Sequence, residues 1–131
     1  MSNLPSSVHK GKILLVQNDD FLTKLYSDKF IEAGFEVTSA SDGEKGFELA
    51  KDSKPDVAII DLLIPKMDGQ ALLEKMRRDP DLKDVKVIIL ANLIPEKGIE
   101  KVARLGIVDY IVKSDTSASK LVEKVIKVLS S

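Results

Sequence analysis

The sequence predicts an α/β domain in which five short parallel strands alternate with five helices, a doubly wound sheet covered on both faces. Three observations carry that prediction. Short strand-like segments recur along the chain at Ile13–Val16, Phe35–Ala40, Val57–Ile60, Val85–Ala91 and Ile107–Val112; all but the weaker Phe35–Ala40 are mostly apolar, the pattern of strands buried on both faces. The segments between them carry apolar residues at helical spacing. Residues that cap, stop or break helices stand at the joints, among them Gly34, Pro55, Pro80 and Gly106.

Met1–Gly11 is polar, holds Pro5 and the only histidine, His9, and reads as a loose tail in which a lone histidine is solvent decoration. The domain proper is placed at 12–131. Ile13–Val16 is the first strand, ended by Gln17-Asn18-Asp19-Asp20. Phe21, Leu22, Leu25, Tyr26, Phe30 and Ala33 then mark a helix that Gly34 stops. After the second strand, Ser41 and Glu44 have capping-box spacing for a helix through Phe47, Leu49 and Ala50, which Gly46 weakens. The third strand starts at Asp56 and ends on Asp61. A loop with Pro65 and Asp68-Gly69 leads to a helix carrying Leu72, Leu73 and Met76, broken by Asp79-Pro80-Asp81. The fourth helix spans Pro95–Leu105 with Ile99, Val102 and Ala103 inward. Thr116 or Ser117 caps the last helix, with Leu121, Val122, Val125, Ile126 and Leu129 on one face. Right-handed crossovers leave few topologies, and for a chain of this length the flavodoxin-like order 2-1-3-4-5 is the natural one.

Composition removes several function classes. The 131 residues suffice for one core, and 44% are apolar. Charged residues nearly cancel to a net −1, whereas a general nucleic-acid binder shows a basic excess. Without cysteine there is no disulfide or thiolate metal site. The N-terminus lacks the apolar stretch of a signal peptide. The longest apolar run, Val87–Ala91, is strand-sized rather than membrane-spanning. The expectation is a cytoplasmic protein with neither nucleic acid nor membrane as partner. No second domain or linker is read, so it should act through another protein.

Open parallel sheets keep their sites beyond the carboxyl ends of the strands, at the point where strand order reverses. At that edge the first strand delivers Gln17, Asn18, Asp19 and Asp20, the third Asp61, the fourth Ala91 and Asn92, and the fifth Lys113 and Ser114. Singly, each has a bland reading. An aspartate after a strand forms turns or caps helices, and a lysine there is usually solvated. Together they suggest phosphoryl transfer to a carboxylate. The carboxylate is the nucleophile, a lysine neutralises the phosphoryl oxygens, and an oxygen-held divalent cation adds further positive charge.

These residues resemble the CheY-like receiver domains of two-component response regulators from about Lys12 to Leu129. The segment from Pro55 through Asp61 to Pro65 and Asp68-Gly69 resembles the family's phosphoacceptor strand and loop. Leu105–Lys113 resembles the segment carrying its lysine, and Ser41–Gly46 the opening of its second helix. The resemblance implies that Asp61 is phosphorylated, Lys113 contacts the phosphoryl group, Tyr110 is the switch aromatic, and the Leu63 carbonyl is a ligand for magnesium. It implies a histidine kinase or histidine phosphotransfer protein as donor.

Three departures accompany it. Gln17 and Asn18 stand where the family places two acids, with Asp19 one place later. Unit charges about 4 Å apart interact by about 4 kcal/mol at an effective dielectric of about 20, so Mg2+ held by Asn18, Asp19, Asp61 and Leu63 is expected to bind weakly. Either Asp19 or Asp20 shifts to rescue the metal, or it caps the helix. Ala91 occupies the place of a Thr or Ser that bonds the phosphoryl group, and Asn92 points the other way. Ser114 follows Lys113 in place of a cis-proline, and a cis bond without proline costs roughly 2.5–4 kcal/mol, so a trans bond is expected.

The leading reading is a stand-alone phosphoacceptor receiver. Its output face would be the fourth helix, fifth strand and fifth helix, around Lys97, Lys101, Arg104, Tyr110, Lys120 and Lys124. The alternative is a pseudo-receiver that binds proteins without phosphate. A flavin protein would need a phosphate-cradling loop where the acidic Gln17–Asp20 stands. An aspartate-nucleophile phosphatase would need a second acid where Leu63 stands.

Overall fold

The computed structural model describes residues 10–92 and 99–130. Strands β1 (Lys12–Val16), β2 (Glu36–Ala40), β3 (Val57–Asp61), β4 (Lys86–Ala91) and β5 (Asp109–Val112) alternate with helices α1 (Asp20–Glu32), α2 (Gly43–Ser53), α3 (Gly69–Arg78), α4 (Ile99–Arg104) and α5 (Ala118–Ser130). The strands form one parallel sheet in the order β2-β1-β3-β4-β5. This is the flavodoxin-like α/β fold that the periodicity predicts.

Strand alternation sorts the core into two layers. Leu14, Val16, Ala58, Ile60, Val87 and Ile89 face α2, α3 and α4, and pack on Leu72, Leu73, Met76 and Val102. Ile13, Leu15, Val57, Ile59, Ile88 and Leu90 face α1 and α5, and pack on Tyr26, Phe30, Leu121 and Val125. Every residue of β3 is buried, as its central place in the sheet requires.

Several boundaries and faces differ from the sequence reading. Asp42, not Ser41, caps α2, its carboxylate accepting from Lys45 N at 2.8 Å. An ionised carboxylate is the stronger acceptor at a helix N-terminus. Of the two caps the sequence offers for α5, Ser117 serves, its hydroxyl accepting from Lys120 N, in agreement with that reading. Phe21 (74% exposed) and Leu25 lie on the outer side of α1, and Ala103 and Ile126 are exposed on α4 and α5. Helical spacing finds a stripe but not its edges, so residues at its border were assigned inward. β5 begins at Asp109, not Ile107. The start of the predicted fourth helix, with Lys97, and His9 in the N-terminal tail lie outside the described residues.

Arg77 ties the lower part of the fold together. Its guanidinium donates to the carbonyls of Leu105 (2.6 Å), Val85 (2.9 Å), Gly106 (3.0 Å) and Lys83 (3.1 Å). One side chain at the end of α3 therefore holds both the α3–β4 and the α4–β5 connections, which suits a planar fork of donors.

Candidate functional site

Asp61 is the last residue of β3 and lies opposite Leu90 of β4. It is only 5% exposed. Its Oδ1 accepts from the backbone N–H of Leu63 at 3.1 Å, the self-bonding of an aspartate to the chain two residues on. Its Oδ2 accepts from the ammonium of Lys113. Lys113 opens a 3-10 turn, Lys113–Asp115, directly after β5. There is no cis peptide bond among the described residues. Lys113-Ser114 is therefore trans, as the absence of proline requires.

The loop after Asp61 is held tightly. Gly69 N donates to Leu62 O at 3.0 Å, and a Cβ on Gly69 would stand 2.6 Å from the Asp61 carbonyl oxygen. Gly43 at the start of α2 meets the same loop, where a Cβ would lie 1.9 Å from Met67 O. Only glycine permits both approaches. Asp68 caps α3 through Ala71 N at 2.8 Å. The Asp-Gly pair thus serves packing as well as turn formation.

The end of β1 departs from a metal site. Gln17 continues the ladder, its N–H donating to Ala40 O at 3.0 Å, and its side chain is 1% exposed. Its Oε1 receives the Thr23 hydroxyl at 3.5 Å, while its Nε2 is buried without an acceptor. Asn18 is exposed. Asp19 caps α1, accepting from Leu22 N at 3.0 Å. Of the residues expected to gather, the structure joins Asp61 and Lys113 and commits Asp19 to the helix. Leu63 contributes its N–H to the carboxylate, while its side chain is 72% exposed. Among the described residues no three acidic or histidine side chains come together to hold a metal. The donor set does not fit a divalent cation: its one inward carboxylate is paired with an ammonium, and the neighbouring buried amide has its donor end unsatisfied.

Tyr26 is a site residue that sequence reasoning placed only in the core. It is buried, and its phenol is pushed up from the ordinary tyrosine value by burial first, then by the carboxylates of Asp19 and Asp61. Helical side chains lean toward the helix N-terminus, so a tyrosine two turns into α1 reaches back to the site. Its position seven residues after the cap was the available signal. Leu22, Leu25, Tyr26, Asn92, Lys113 and Ser117 help line a cleft of about 440 Å3.

At the other side of the sheet, Tyr110 pairs with Ile89 and packs half-buried on the α2–α4 side, and burial raises its phenol. Ala91 is buried opposite Val112, on the same face as Ile89 by alternation. On the expected output face Lys101, Arg104 and Lys120 are exposed, whereas Lys124 pairs with Asp109 at 2.6 Å. No described helix is long and apolar enough to cross a membrane.

A five-stranded 2-1-3-4-5 sheet with a buried aspartate and a lysine paired across its carboxyl edge defines a receiver-type domain. The family model described as the response regulator receiver domain matches residues 13–126. The chain belongs to the response regulator receiver family, the phosphoacceptor domains of two-component signal transduction, which are not enzymes.

Among its relatives is a protein of Rhizobium etli named "Probable chemotaxis protein CheY", 32% identical over 112 residues, 85% of this chain and 87% of that one. Another is the "Probable transcriptional regulator ycf27" of Guillardia theta, 32% identical over 105 residues. That match covers 79% of this chain but 40% of the regulator, so the chain spans less than half of that relative's length. The crystal structure of the phosphorylated cyanobacterial phytochrome response regulator RcpA superposes with a TM-score of 0.75, at 30% identity, over 92% of this chain and 91% of that one. The receiver domain of the sensor histidine kinase PA1611 of Pseudomonas aeruginosa, described with magnesium coordinated in its active-site cleft, has a TM-score of 0.81 at 21% identity, covering 92% and 98% of the two chains.

Proposed function

We propose that this receiver accepts a phosphoryl group on Asp61 from the phosphohistidine of a histidine kinase or phosphotransfer protein, and signals through protein–protein contacts. The observation that carries the reading is the nearly fully buried Asp61 carboxylate in contact with the Lys113 ammonium at the sheet's carboxyl edge. An Asp61 oxygen attacks phosphorus, the O–P bond forms as the N–P bond breaks, and the electron pair leaves on the imidazole nitrogen. Transfer of this kind rests on positioning and charge neutralisation. Lys113 already touches the nucleophile and can follow the charge onto the phosphoryl oxygens. The Leu63 N–H fixes the carboxylate's orientation. Output passes through α4, β5 and α5, where Lys101, Arg104 and Lys120 lie exposed. Ala91 has no hydroxyl to link the phosphoryl group to Tyr110, so the aromatic responds weakly.

The test is exposure to acetyl phosphate followed by intact-mass measurement, with Asp61→Asn as control. A gain of one phosphoryl group that the variant lacks supports the reading. No gain, with another receiver reacting alongside, refutes it. A second reading, a pseudo-receiver that binds partners without phosphate, is favoured by the missing acid cluster. It predicts equal partner binding by wild type and Asp61→Asn.

A further inference from the structure

We infer that the Asp61 site takes its phosphoryl group without a divalent cation, the buried amide of Gln17 and the ammonium of Lys113 supplying the donors for the phosphoryl oxygens. This rests on Asp61 as the phosphoacceptor and concerns how the charge is met.

The first support is the charge at the sheet edge. Asp61 and Lys113 cancel, and Gln17 and Asn18 are neutral. Asp19 accepts Leu22 N–H at the positive end of α1. Magnesium is held through carboxylates and phosphates whose negative charge it neutralises. Here the remaining acids, Asp19 and Asp20, stand exposed at the start of α1, and the buried Asp61 carboxylate is already paired with Lys113, which would repel a cation placed against it.

The second support is the orphaned amide. Gln17 Nε2 carries two donors, is buried, and finds no acceptor among the described residues. Buried donors are almost always satisfied, and an exception calls for an explanation. Val16 pairs with Ile60, so Gln17 stands beside Asp61 one position further along adjacent strands. Ile13 and Leu15 share a layer with Val57 and Ile59, and alternation sets Gln17 and Asp61 on that same face. An N–H pair there suits phosphoryl oxygens and opposes a metal ion, which needs the lone pairs of oxygen.

With acetyl phosphate the step balances without a metal. An Asp61 oxygen bonds to phosphorus, the bond from phosphorus to the bridging oxygen breaks, and acetate leaves with the electron pair. Charge on each side is unchanged and no proton is required.

The experiment compares phosphorylation rates of wild type, Gln17→Leu and Gln17→Glu by intact mass, in EDTA and in millimolar magnesium. Expected are equal wild-type rates in both, and a loss of about a hundredfold in Gln17→Leu, as for removal of a transition-state donor. Gln17→Glu should become magnesium-dependent. A wild-type rate that collapses in EDTA, or a Gln17→Leu rate equal to wild type, overturns the inference.

A second measurement separates this inference from its premise. Inorganic phosphate is titrated in EDTA into 15N-labelled wild type, following the Gln17 side-chain amide. If Asp61 never gains a phosphoryl group, the phosphoacceptor reading falls. The anion-donor role of Gln17 then stands if its amide signal moves with phosphate, and is overturned if that signal moves only with magnesium.

Discussion

Replacing Lys113 by methionine should destabilise the protein more than replacing its partner Asp61 by asparagine. Among the described residues the ammonium is the only side-chain donor to the Asp61 carboxylate, whose other bond comes from Leu63 N–H. Methionine keeps most of the stem's volume and removes the charge. It leaves a carboxylate that is 5% exposed without a counter-charge, held by the Leu63 N–H. Removing one partner of a buried pair costs about 3–5 kcal/mol. The sheet-edge position allows some water to reach the carboxylate, which lowers the expectation to about 2–3 kcal/mol. Asp61→Asn should cost about 1 kcal/mol, because the amide oxygen still accepts from Leu63 and the half-buried lysine can turn outward. The double variant should be more stable than the sum of the single losses, by about 1–2 kcal/mol, since the stranded charge is gone. Urea unfolding at neutral pH, with midpoints and slopes for all four proteins, measures the cycle. Equal midpoints for wild type and Lys113→Met, or additive losses in the double variant, would refute the Asp61–Lys113 pairing.

Arg77→Ala should lower stability by about 2–3 kcal/mol in the same assay, since it strands the half-buried carbonyls of Leu105 and Val85 that the guanidinium now serves. Arg77→Lys should recover little, because a single ammonium cannot span both connections. Gly69→Ala places a methyl 2.6 Å from Asp61 O and should cost about 1–3 kcal/mol while disturbing the site; unchanged melting and unchanged reactivity at Asp61 would count against the tight loop. Asp42→Ala should cost about 1 kcal/mol and Ser41→Ala almost nothing, a difference that thermal melts can read. Lys51 holds the Asp79 carboxyl below its ordinary value. That contribution is present above the unfolded carboxylate pKa and lost as pH falls through the lower folded one. In Lys51→Met the acid-side decline below about pH 4 should lose this component, as melts across the acid range would show.

The alternation of strands and helices was legible because the fold buries whole strands, so apolar runs and helical periods align with it. Asp61 and Lys113 were legible for a different reason. Strand ends in a parallel sheet converge at one edge, so residues far apart in sequence could be placed together without a contact in hand. What failed was local competition between equals. Ser41 and Asp42 both offer a capping oxygen, and only backbone geometry decides which reaches the N–H of Lys45. Asp19 could be read as ligand or cap, and the first turn of α1 takes it. Phe21 and Leu25 match the helical stripe in type but fall beyond its edge. Tyr26 was seen as apolar bulk because periodicity carries no information about where its hydroxyl reaches. Gln17 looked like a missing acid; its burial and unpaired donor emerge only once α1 covers it.

Stability alone gives little reason for this edge of the sheet. A buried ion pair is often no better than apolar residues of the same volume, and removing either member is harmful. A buried amide with an unmet donor is a net loss. Elsewhere the chain is locally consistent, with carboxylates capping α1, α2 and α3 and continuous apolar layers on both faces of the sheet. Departures from such consistency are expected where a protein does its work. In this chain Asp61, Lys113 and the Gln17 amide gather where parallel sheets keep their ligands. A surface that only binds proteins has no use for a charged pair buried beneath it. A phosphoryl acceptor does: the carboxylate must be oriented, its charge balanced before transfer, and fresh donors waiting for the oxygens that arrive.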